Sequence, residues 1–202
     1  MTFRGFRHAL LIGAGVAGLV TASGCGDAVR QGTGSAFLVI DSLLGAPGGS
    51  TSPTFGNVLQ SDVSTNGGVF EDPGRVTLRL AAKDITSSLT SNNLVTINRY
   101  RVVFRRSDGR NQQGSDVPYA FDGAVSFSVG NEAVSAGFSL VRAQAKLEAP
   151  LVTLVNAPNF FGGGVVISTL ADVTFYGRDQ TGHDVSVMGT MSINFADWAD
   201  PD

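Results

Sequence analysis

The sequence predicts an all-β protein: a single antiparallel sandwich of about seven to nine strands, preceded by a short export segment and a flexible tether. Three observations carry that expectation. Charged residues make up only 15% of the chain while Gly reaches 26 of 202 residues, and Val, Thr and Phe are abundant, a composition suited to short strands and tight turns. From residue 36 onward apolar and polar residues alternate with period two over most of the chain. Turn signals punctuate these runs at the spacing of an antiparallel sandwich: Asp72-Pro73-Gly74, Asp108-Gly109, Asp122-Gly123, Gly130-Asn131 and Thr181-Gly182. A hydrophobic fraction of 43% is ample for one core, and the length suits one domain plus a targeting segment.

The strands follow in order. Ala36–Leu44 is an apolar run broken only by Asp41 and Ser42, the pattern of a strand buried on both faces. The less regular stretch 45–74 holds one short strand around Val58–Val63. Val76, Leu78, Leu80 and Ala82 then share one face, as do Tyr100, Val102 and Phe104, and next Val125, Phe127 and Val129. Phe138 and Leu140 form another face, after which the parity flips to Val141, Ala143, Ala145 and Leu147. That flip predicts a bulge near Leu140 with a strand running on, although residues 142–148 also suit a helix by propensity. Val165–Tyr176 and Val185–Phe195 complete the set, the last with Val185, Val187, Met191, Ile193 and Phe195 on one side. No repeat of 20–50 residues is present, which argues against a solenoid or propeller.

The final hairpin, residues 172–187, joins two alternating strands through Asp179-Gln180-Thr181-Gly182. It resembles the closing hairpin of bacterial immunoglobulin-like domains. The resemblance implies an immunoglobulin-like sandwich and carries no function by itself.

Function is less legible. Of the 14 basic residues, Arg4 and Arg7 precede Cys25, which leaves 12 against 17 acids, a formal net charge of −5. That balance gives no footprint for nucleic acid. Beyond Cys25 one histidine remains, His183, beside Asp179 and Asp184, and no Gly-x-Ser-x-Gly elbow presents a nucleophile; no catalytic residue is assigned and no cofactor is expected. Asp179 and Asp184 could offer oxygens to calcium, but turns favour Asp for local hydrogen bonds, so no metal site is assigned. Arg99, Arg101 and Arg105 line one strand face, with Arg106 and Arg110 following. This stripe is the candidate partner-binding site, for an envelope protein, a glycan or anionic headgroups. Phe195 and Trp198 are expected to pin the last strand to the core.

The N-terminus supplies an address. Arg4 and Arg7 precede an uncharged apolar run, Ala9–Ala22, which closes on Ala22-Ser23-Gly24 and the only cysteine, Cys25. A basic n-region, a short apolar h-region and small residues before the cut define a secretory signal, and the run is too short to span a bilayer. Gly13-Ala14-Gly15-Val16-Ala17-Gly18 also spells a dinucleotide-binding turn, with Asp41 in place for a ribose contact. The glycine-rich segment that follows cannot make the helix such a turn needs, and nothing downstream alternates strand with helix. Ala22-Ser23-Gly24-Cys25 resembles the lipobox of bacterial lipoproteins, with Ala22 where Leu is more usual. The resemblance implies cleavage after residue 24, acylation of Cys25 and, with Gly26 following, an outer-membrane destination where there are two membranes. Residues 1–24 are then the signal peptide, 25–35 the lipidated cysteine and tether, and 36–202 the sandwich. The functional expectation is a non-enzymatic binding or structural module of the cell envelope, held to the lipid bilayer by Cys25; the alternative is an envelope hydrolase or carbohydrate-active protein using surface carboxylates.

Overall fold

Eight strands form two packed sheets in a computed structural model that describes residues 36–84, 86, 88–90, 93–155 and 165–198. One sheet holds β1 (Ala36–Gly45), β3 (Asp72–Ala82) and β6 (Val134–Val141) in the order β1-β3-β6. The other holds β2 (Val58–Asp62), β4 (Val95–Arg105), β5 (Phe121–Val129), β7 (Ile167–Asp179) and β8 (Asp184–Ala196) in the order β2-β8-β7-β4-β5. β2 lies at one edge of the larger sheet beside β8, and β5 at the other edge beside β4. Among the described strand pairs, β2 with β8 departs from antiparallelism, the two running parallel. The residues paired with the dinucleotide motif lose that meaning here: Asp41 lies in β1 and binds Arg79 across the strand pair at 2.7 Å.

The alternating residues are buried as their parity requires. Val76, Leu78 and Leu80 of β3, Ile97, Val102 and Phe104 of β4, and Met191, Ile193 and Phe195 of β8 all point inward. Two glycines shape the centre of this core. Gly123 on β5 stands opposite Tyr100 on β4, and Gly74 on β3 opposite Phe138 on β6. A Cβ at either glycine would collide with the facing ring, so each missing side chain lets an aromatic lie across its neighbouring strand. The two rings then meet edge to face at 5.2 Å, with Phe175 against both. The Tyr100 hydroxyl accepts from the Ser139 N–H at 3.2 Å, tying one sheet to the other.

Four expectations change. β1 is an edge strand, not one buried on both faces: Phe37 is exposed, and a register shift between Ile40 and Ser42 reverses the parity. Its apolar run is therefore two half-buried faces spliced by a bulge. Asp72-Pro73-Gly74 does not form a turn but opens β3, and Asp122-Gly123 lies within β5. The bulge at Leu140 is present, because Asp72 pairs with Val141 and Pro73 with Ser139, leaving Leu140 as the extra residue. The strand expected beyond it is instead one helical turn, α1 (Ala143–Lys146), followed by a 3₁₀ turn at Leu151–Leu154. Ala, Gln, Lys and Leu favour helix and none is β-branched. Ala143 and Ala145 imitated a strand's alternation without its stiffness.

Candidate functional site

The outer face of the larger sheet carries the arginine stripe. Inward burial of Tyr100, Val102 and Phe104 forces their neighbours outward, and Arg99, Arg101 and Arg105 stand half-exposed on β4. Each meets a carboxylate from a flanking strand. Asp122 of β5 sits 2.6 Å from Arg101 and 3.5 Å from Arg99. Asp172 of β7 accepts two bonds from Arg105, at 2.6 and 3.2 Å, and one from Thr190 on β8. Arg99 also stacks on Tyr176, 4.2 Å from its ring centre. Partial burial alone would raise Asp172, but Arg105 and Thr190 outweigh it and hold the carboxyl below its ordinary pKa. The stripe is thus a ladder of alternating charge rather than a bare basic strip. Such a face suits a polar, mixed-charge partner better than a polyanion.

The closing turn consumes its own polar groups. Asp179 Oδ1 accepts from the Thr181 N–H and hydroxyl and from the His183 N–H, at 2.7–2.9 Å, and Oδ2 lies 3.2 Å from His183 Nδ1. Asp184 instead pairs with Arg178 at 2.7 Å. The two carboxylates suggested for calcium have separate partners. Among the described residues no group of three or more His, Cys, Asp or Glu is gathered for a metal ion. Phe195 packs in the core against Phe104, whereas Trp198 caps the end of β2: its indole N–H donates to Ser61 O at 3.2 Å and its backbone N–H to Asp62 Oδ1 at 3.0 Å. Cys25 lies outside the described residues.

A second polar constellation is buried between the sheets. Lys146 on α1 and Asp72 at the start of β3 have side chains 1% and 0% exposed, with Nζ 2.8 Å from Oδ1. Oδ1 also accepts from the Gly48 N–H at 2.8 Å, and Oδ2 from the Ser61 hydroxyl of β2 at 2.6 Å. Nζ donates further to Asp62 O at 2.7 Å. Burial pushes the Asp72 carboxyl above its ordinary pKa, with Lys146, Ser61 and Gly48 opposing. An ion pair taken this far out of water is costly unless it is hydrogen-bonded, and here Nζ meets two acceptors while each Asp72 oxygen meets at least one donor.

Sequence reasoning missed this group. Asp72 was hidden in a turn-like tripeptide, and Lys146 in an alternating run whose only other signal was helix propensity. The discriminating sign was Lys146 as the sole Lys or Arg between Arg142 and Arg178, in a stretch otherwise apolar enough to pack. No protein-family model, curated protein or solved structure gives a significant match to the chain.

Proposed function

We propose that the protein is a lipid-anchored module of the bacterial cell envelope that binds or supports a partner without catalysing a reaction. The observation that carries this reading is Arg4 and Arg7 leading an apolar run onto Ala22-Ser23-Gly24-Cys25, with the first strand opening at Ala36. The polar, glycine-rich residues 26–35 have the composition of a flexible tether, which would hold the sandwich off the bilayer. Two acyl chains on Cys25 give stable anchoring where one does not. The mixed-charge face around Arg99, Arg101 and Arg105 is the surface the sandwich would offer to an envelope protein or glycan. Metabolic labelling of the full chain with a fatty-acid probe tests the anchor: label is expected on the wild type and absent from Cys25→Ser. Equal labelling of both, or none on the wild type, refutes it. Capture of an envelope partner should fail when Arg99 and Arg101 are both changed to Glu, and unchanged capture would remove the stripe from the proposal.

A further inference from the structure

We propose that Lys146 and Asp72 join covalently, the Lys146 amine condensing with the Asp72 carboxyl to an intramolecular amide and releasing one water. The proposal stands on the buried group itself and is independent of the envelope reading. Nζ and Oδ1 are in hydrogen-bond contact, sealed from solvent, and held by strands and a helical turn rather than by loops alone. Groups held in contact by a rigid fold react as if at enormous concentration once the amine turns onto Cγ, with effective molarities of roughly 10⁵–10⁸ M. In water the condensation is opposed by ionisation of both partners and by the solvent. In this site solvent is excluded, and burial pushes the Asp72 carboxyl toward its neutral form.

Each hydrogen on the ammonium has a destination. One passes to Oδ1 across the 2.8 Å bond, leaving a neutral amine and a neutral acid. The amine lone pair then adds to Cγ, forming the N–C bond and placing negative charge on Oδ2, where the Ser61 hydroxyl donates at 2.6 Å. That donor is in place before the charge develops, as an oxyanion site requires. The second hydrogen transfers from nitrogen to Oδ1, the C–Oδ1 bond breaks, and Oδ1 leaves as water, with the Gly48 N–H already bound to it. The third remains as the amide N–H, directed at Asp62 O, which Nζ already meets at 2.7 Å. The product keeps Ser61 on the new carbonyl and removes two charges from the core.

Two features of the sequence favour this outcome. Asp72 precedes Pro73, which has no backbone N–H, so the carboxyl cannot be diverted into a cyclic imide with its own chain. The chain also has one cysteine and so no internal disulfide, and the amide would staple β3 to the crossover from β6 to β7.

The test is a tryptic digest of the denatured full-length protein read by mass spectrometry. Expected is a peptide pair, one containing Asp72 and the other Lys146, linked and lighter than their sum by one water, with no cleavage after Lys146. Asp72→Asn, whose carboxamide cannot take the ammonium proton that Oδ1 accepts, should give no linked pair. Lys146→Arg should give no linked pair. Cleavage after Lys146 in the wild type, with no linked pair, overturns the proposal even if the variants do not fold. The linked peptide decides rather than the intact mass, because Asp108-Gly109 and Asp122-Gly123 can also lose water by cyclisation.

Discussion

Replacing Gly123 with Ala tests the central packing device most directly. The added Cβ would overlap the Tyr100 ring at Cε1, Cζ and the hydroxyl. The ring cannot swing aside, since Phe121, Phe138 and Phe175 surround it with centroids 5.2–6.3 Å away. Overpacking of this kind costs about 1–3 kcal/mol. Displacing the hydroxyl from the Ser139 N–H adds about 1 kcal/mol, and the lower entropy of unfolded Ala returns about 0.4–1 kcal/mol. The net is a loss of about 1–3.5 kcal/mol, or a melting temperature lower by roughly 2–14 °C for a domain of this size. Urea denaturation followed by tryptophan fluorescence and circular dichroism gives the measurement. Tyr100→Leu in the same chain makes room for the new methyl, so the double variant should be less destabilised than the two singles added together, by at least about 1 kcal/mol. A cost for Gly123→Ala below about 0.5 kcal/mol, within the range of an ordinary surface change, or strict additivity with Tyr100→Leu, would refute the reasoning.

Other outcomes follow from the same structure. Relative to the unlinked ion pair, Lys146→Met leaves the Asp72 carboxyl buried without its cation and should cost at least about 3–5 kcal/mol, whereas Lys146→Met with Asp72→Leu should recover much of that in a denaturant titration. Asp172→Asn, which loosens Arg105 and Thr190 on the exposed face, should cost no more than about 1 kcal/mol; a larger loss would mean the ladder is structural rather than a surface. Hydrogen bonds from Thr181 and His183 outweigh burial and hold Asp179 low, and Asp172 is low likewise. Their stabilisation is present above the ordinary carboxylate value of 3.8 and is lost as pH falls through the depressed pKa values. Asp72, where it remains a free acid, has the opposite sign: its raised pKa favours the fold at low pH, a contribution lost as pH rises through that value. Between about pH 6 and pH 2 the wild type should therefore lose more melting temperature on acidification than Asp172→Asn with Asp179→Asn. An identical slope in wild type and double variant would contradict these assignments.

Local patterns were enough for most of the architecture. Period-two alternation located β3, β4, β5, β7 and β8, because a strand facing one core must alternate. The parity flip at Leu140 disclosed its bulge for the same reason, since one extra residue turns every later side chain over. In β1 the same physics misled, because a bulge at Asp41 spliced two half-buried faces into a continuous apolar run. The tetrapeptide α1 defeated the pattern because alanine is small enough to fit either period. The arginines of β4 were correctly placed on one face, but their carboxylate partners lie on β5 and β7, a neighbour relation no local spacing contains.

The sequence by itself therefore determined an all-β chain, the parity of its strands apart from β1, the outward face of the arginines and the residues from Arg4 to Cys25 on which the envelope proposal rests. Only the tertiary structure decided that Gly123 and Gly74 admit Tyr100 and Phe138 into one aromatic centre, that Asp122 and Asp172 pair with the stripe, and that Asp72 and Lys146 meet. The physical reason is the same in each case. Alternation follows from neighbours along the chain, whereas ring packing, charge pairing and the contact of an amine with an acid depend on residues brought together across strands and sheets.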